Sequence, residues 1–154
     1  MRWSQGRAEI DAMLRSGELQ RVPASREHAD NLLDQARQHM VSARAVVAND
    51  PAGAYAIGYD ASRKALAAVL ENQGLRATSR GGHVAVCRSV QAQLDPPLGA
   101  VLRPFDRMRR RRNGLEYPDF EAPALTPADV EEDLRRAEAI VELAVRTLDE
   151  MPPY

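Results

Sequence analysis

Apolar residues recur along this chain at spacings of three and four and almost never in sustained alternation, a pattern that predicts packed helices and no sheet. Residues 4–15 read as a short helix with Ser4 as its N-cap, Ile10, Met13 and Leu14 on one side, and Gly17 as its stop. Ser25 caps a second helix over 26–48, whose buried stripe is Ala29, Leu32, Leu33, Ala36, Met40, Ala43, Val46 and Val47. Asp50 and Pro51 open a third, running to about residue 73, where Gly74 supplies a left-handed end. In it Tyr55, Tyr59, Ser62, Leu66, Val69 and Leu70 are core candidates. Ala54, Gly58, Ala61, Ala65 and Ala68 form a small-residue flank suited to close helix approach.

A polar loop over 75–82 precedes a helix over 83–94, with Val84, Val86, Cys87 and Val90 inside, and Asp95-Pro96-Pro97 interrupts it. Residues 98–112 are helical by pattern through Leu98, Val101, Leu102, Phe105 and Met108. The prolines at 118, 123 and 127 keep 113–127 non-helical. Thr126-Pro127-Ala128-Asp129 then starts a last helix, whose seam is Val130, Leu134, Ala137, Val141, Ala144 and Leu148. The expected fold is all-α: an up-and-down bundle of four to five helices plus a short N-terminal helix. It forms a single domain over 1–154, with about 1–24 as an N-terminal extension.

Charge changes this picture only locally. The net charge is -1, so the chain is no polycation. Yet six of its 21 basic residues, Arg103, Arg107, Arg109, Arg110, Arg111 and Arg112, fall within ten positions. Like charges on adjacent turns repel by a few tenths of a kcal/mol per pair, so something anionic is expected to compensate them. Lys64 is the only lysine, a bias that makes arginine identity weaker evidence than clustering. The single cysteine, Cys87, excludes an internal disulfide and a cysteine-based zinc site. His28 and His39, eleven residues apart in one helix, cannot share a metal. Neither metal nor cofactor is expected. The N-terminal residues lack an apolar run, and no segment approaches the ~18 apolar residues of a membrane span. A cytoplasmic chain without a membrane partner is the expectation.

Three features in order carry a family resemblance: the segment Tyr55-Ala-Ile-Gly-Tyr-Asp-Ala-Ser-Arg-Lys-Ala-Leu-Ala-Ala-Val-Leu-Glu-Asn-Gln-Gly74, the loop ending Gly81-Gly82-His83, and the arginine run into Glu116-Tyr117. Over 25–148 the chain resembles HEPN-domain proteins. The resemblance implies a bundle of four or five helices that is usually a homodimer. Many members are metal-independent ribonucleases, and others are inactive partners of small nucleotidyltransferases, commonly in toxin-antitoxin pairs. The family's signature is an arginine, a polar residue, a few variable positions and then a histidine, often with a tyrosine two residues on. Laid on Arg112 and Asn113, the histidine position is Tyr117; laid so that Tyr117 matches the tyrosine, it is Leu115 and the arginine is Arg110. Either way the histidine is lost. Losing a general acid or base lowers rate by ~10² to 10⁴, and a tyrosine of pKa ~10 does not replace it at neutral pH.

Three expectations follow. The first is a HEPN-type module, catalytically impaired, that binds nucleotide or RNA phosphate through Arg107, Arg109, Arg110, Arg111, Arg112 and Asn113 and works with a partner such as a nucleotidyltransferase. The second is a ribonuclease using Arg112 and Tyr117. The third is a non-catalytic interaction protein whose arginines pair with acids, Asp106, Glu116 and Asp119 among them; carboxylates engaging every guanidinium would favour it. Asn113 reads equally as a site residue or as a helix C-cap beside Gly114. His83 reads as a structural histidine at a helix start, and Tyr55 and Tyr59 as core.

Overall fold

The computed structural model describes residues 3–117 and 124–154. The elements in chain order are α1 (Arg7–Ser16), β1 (Leu19–Arg21), α2 (Arg26–Val46), α3 (Pro51–Gln73), β2 (Leu75–Ala77), α4 (Gly82–Leu94), α5 (Gly99–Leu102), α6 (Pro104–Glu116) and α7 (Pro127–Thr147). The fold is an all-α bundle. At its centre stands α3, which packs most extensively on α2 and α7 and also meets α4 and α6.

Local chemistry explains why α3 and α7 begin and end where they do. The Asp50 side chain accepts from the Gly53 N–H at 2.9 Å, Pro51 fills the first turn, and Gly74 ends α3 at φ 83°. Thr126 and Asp129 form a reciprocal capping box at the start of α7. The predicted small flank of α3 is buried throughout, as is the predicted seam of α7. At Gly58 the two helices come so close that a Cβ would lie 2.3 Å from Leu134 Cδ2. Any larger residue there requires the Leu134 side chain to shift.

Several expectations are corrected. Helix α1 starts at Arg7 and not after Ser4, because Gly6, at φ 74°, sits against the Ala92 carbonyl where a Cβ would be 2.3 Å away. Within the expected loop over 75–82, β2 pairs antiparallel with β1 in the register Leu19↔Ala77, Gln20↔Arg76 and Arg21↔Leu75. Three residues are too few to show alternation. The helix expected over 98–112 is two helices, because Pro104 lacks the N–H that would continue the ladder through Arg103. Val84, expected inside, is exposed. Helix α6 runs on through Asn113 and Gly114 to Glu116, so Asn113 is no C-cap; its carbonyl instead accepts the Tyr117 N–H at 3.2 Å. The prolines at 118 and 123, and Asp119, lie outside the described residues.

The N-terminal stretch is stitched to the bundle. Ile10 and Met13 are buried, and Trp3 Nε1 donates to the Gln93 carbonyl at 3.0 Å. The Tyr154 hydroxyl donates to Asp11 Oδ1 at 2.6 Å. No helix among the described residues is long and apolar enough to cross a membrane.

Candidate functional site

Helix α6 divides the arginine run between two sides. Residues one turn apart share a face, so Arg107, Arg110 and Arg111 lie towards α7. Arg112 turns the other way, with its Cζ 5.8 Å from the Tyr59 ring centroid on α3. Phe105 and Met108 are buried beneath the helix and hold it in this rotation.

On the α7 side the organising group is Asp133. Its Oδ1 accepts from Arg107 Nη2 at 3.1 Å and from Arg136 Nη1 at 2.7 Å; its Oδ2 accepts from Arg111 Nη1 at 3.2 Å and from the Tyr55 hydroxyl at 2.8 Å. The residue is only 2% exposed, and both oxygens are fully supplied with donors. Burial alone would raise the Asp133 pKa. Hydrogen bonds from Arg136, Tyr55 and Arg111, with the charge of Arg107, outweigh it and hold the carboxyl below its ordinary range. Burial first, then the bond to Asp133, pushes the Tyr55 hydroxyl well above its usual pKa, so it remains a donor. The Arg111 Cζ also lies 5.9 Å from the Tyr55 ring centroid.

Arg107, Arg110, Arg111, Glu132 and Arg136 line an open concavity of about 680 Å³. Arg110 is the most accessible of the run, its side chain 69% exposed, with Nε 3.3 Å from Asp106 Oδ2. Arg136 Nη2 binds Glu132 at 2.7 Å. Away from the concavity, Arg109 Nη2 pairs with Asp106 at 2.9 Å and Arg112 Nη2 with Glu116 at 2.8 Å. Every arginine from 107 to 112 therefore has a carboxylate within 3.3 Å. Pairing does not exhaust the charge. Among the described residues, six arginines, with Arg136 included, share Asp106, Glu116, Glu132 and Asp133, six positive charges against four negative.

The six expected binding residues are thus not one site. Arg107, Arg110 and Arg111 converge on the concavity; Arg109, Arg112 and Asn113 do not line it. Arg112 and Tyr117 are not brought together: Tyr117 is 81% exposed past the end of α6, and no hydrogen bond joins their side chains among the described residues. His83 Nδ1 lies 2.7 Å from the hydroxyl of Tyr59, the residue whose ring Arg112 also covers. Burial, then the charges of Arg63 and Arg112, lower its pKa, so the imidazole is neutral at pH 7. Tyr59 itself is pushed up to about 12 by burial and stacks on Phe105 at 5.3 Å.

Reasoning from sequence missed Asp133, Arg136 and the role of the Tyr55 hydroxyl. One signal was present: Asp133 falls between Val130 and Leu134 on an otherwise apolar seam, where a carboxylate needs a buried partner. Among the described residues, no group of three or more His, Cys, Asp or Glu is arranged to hold a metal. Comparison of the chain with protein-family models, curated proteins and solved structures finds no match.

Proposed function

We propose that this protein is a non-catalytic binding module that holds a phosphate-bearing ligand, nucleotide or RNA, in the concavity between α6 and α7. The observation that carries the reading is the convergence there of Arg107, Arg110, Arg111 and Arg136 with, among the described residues, Glu132 alone of the carboxylates lining the same space. Asp133 fixes three of these guanidinium groups from beneath, so their remaining N–H groups are held in place before a ligand arrives. Pre-organised donors lose less side-chain entropy on binding, and arginine's planar fork matches phosphate oxygens. Among the described residues, the concavity is lined by no histidine or cysteine to move a proton near neutral pH, which supports binding over cleavage. With the HEPN resemblance, the proposal extends to a cytoplasmic homodimer that works beside a nucleotidyltransferase, in the manner of a toxin-antitoxin pair.

A titration of fluorescein-labelled single-stranded RNA, followed by anisotropy, tests it. Wild-type protein binds at low salt and Arg110→Ala binds several-fold more weakly. RNA that ignores the wild-type protein sinks the reading.

A second reading rests on the complete pairing of the arginine run, the outcome expected to favour a non-catalytic interaction protein. In it the cluster braces α6 against its neighbours and presents a mixed-charge face to a partner protein. The same titration separates the two, since this reading predicts no RNA binding at any salt.

A further inference from the structure

A cavity of about 380 Å³ lies on another part of the bundle, between α2, the second half of α3, β2 and the start of α4, and it shares no residue with the arginine concavity. Its apolar wall is Leu32, Ala67, Leu70, Leu75 and Val86. Its size and lining are those of a small-molecule site, mostly apolar with a few convergent polar groups.

Those polar groups are mostly donors, with Glu71 the carboxylate among the described lining residues. Arg63 is held by Asp60 through Nε at 3.0 Å and Nη2 at 2.6 Å, leaving Nη1 without a protein partner among the described residues. The Tyr59 hydroxyl finds only His83 Nδ1 as an acceptor among the described residues. Taking the hydroxyl as the donor assigns the ring proton of the neutral imidazole to Nε2, which makes His83 a donor on the cavity wall. Ser79 adds a hydroxyl; α4 begins without a side-chain cap, and although the Thr78 carbonyl takes the Gly82 N–H at 2.8 Å, the N–H groups of His83 and Val84 have no partner among the described residues. The one carboxylate on the wall, the buried Glu71, is answered by Arg76 through Nε at 2.5 Å and Nη2 at 3.3 Å. Arg63 and Glu71 are thus each paired, with Asp60 and Arg76, and what Arg63 keeps for the cavity is its Nη1, beside donors and against an apolar wall.

We propose that this cavity binds a small organic anion, an aromatic or aliphatic body carrying one carboxylate or phosphate head. The body lies against Leu32, Leu70, Leu75 and Val86, and the head meets Arg63, His83 Nε2 and the start of α4.

Titration of the full ¹⁵N-labelled chain with 1-naphthoate, and separately with neutral 1-naphthamide, tests this by amide shifts. Naphthoate is expected to bind with a Kd of about 1 mM or tighter, the range a dozen or so well-packed atoms supply, and to move amides from Ser79 to Val84 and around Ala67. Naphthamide binds about tenfold more weakly, the effect of losing one charge-assisted contact. Ala67→Phe fills the cavity and abolishes binding. Arg63→Gln narrows the preference for naphthoate over naphthamide to about twofold or less. Should Ala67→Phe fail to fold, Arg63→Gln decides alone. Arg110→Ala leaves naphthoate binding unchanged, which keeps this site separate from the RNA reading. Absence of shifts with naphthoate, equal binding of the two probes, or wild-type binding by Arg63→Gln overturns the proposal.

Discussion

The Tyr55 hydroxyl donates to the Asp133 carboxylate at 2.8 Å, joining α3 to α7 across 78 residues of sequence. The same carboxylate holds Arg107, Arg111 and Arg136. One buried group thus links the core to the charged face, and the set of the arginines depends on it.

Tyr55→Phe removes one donor and leaves the carboxylate three. Urea denaturation is expected to show a loss of about 1.5–3 kcal/mol, the scale of a buried hydrogen bond to a charged group. Asp133→Asn removes the charge that three arginines share and costs more, about 3 kcal/mol. Equal stability of Asp133→Asn and wild type would mean that the cluster is held by something else.

Acid should erase part of that contribution. The folded-state pKa of Asp133 lies below its ordinary value, so its stabilisation is complete above the unfolded value of about 3.9 and disappears as pH falls through the lower, folded value. The stability gap between wild type and Asp133→Asn, read from urea midpoints, is expected to be widest at neutral pH and to narrow with acidification below the unfolded pKa. A gap that widens in acid contradicts this account.

Close contact between α3 and α7 depends on Gly58. A methyl group there meets Leu134 Cδ2 at 2.3 Å, and Leu134 is itself buried. Gly58→Ala is expected to destabilise by about 1–3 kcal/mol, the cost of overpacking, despite alanine's better helix propensity. Thermal melting checks the sign.

Tyr117 is the candidate catalytic residue that the structure leaves most isolated. Replacing it by phenylalanine should alter neither melting temperature nor RNA affinity. Incubation of pure protein with several RNA substrates should yield no fragments, and fragments that vanish in Tyr117→Phe would restore the ribonuclease reading.

Legibility followed the range of the interactions. Caps such as Ser25, Asp50 and Thr126 and the stop at Gly74 lie within a few residues of what they satisfy, and each was readable from spacing. The small flank of α3 was equally plain, although its partner Leu134 was not. Pairing of Leu19 with Ala77 joins segments nearly sixty residues apart in three-residue strands, and no local pattern records it. The arginine run announced an anion site, but a run of letters does not show rotation: which arginines face α7 depends on Phe105 and Met108 beneath them. Asp133 stood in view on an apolar seam and had no visible partner until Tyr55, Arg107 and Arg111 came together in three dimensions.

The most direct test of the proposed function is the salt dependence of RNA binding. For wild type, the logarithm of the association constant should fall linearly with the logarithm of salt concentration. Arg107→Ala with Arg110→Ala should make that slope shallower by about 1.4, from two phosphate contacts at roughly 0.7 each on single strands. A slope unchanged by the two substitutions, or no RNA binding by wild type at low salt, would contradict the claim that the face between α6 and α7 holds phosphate.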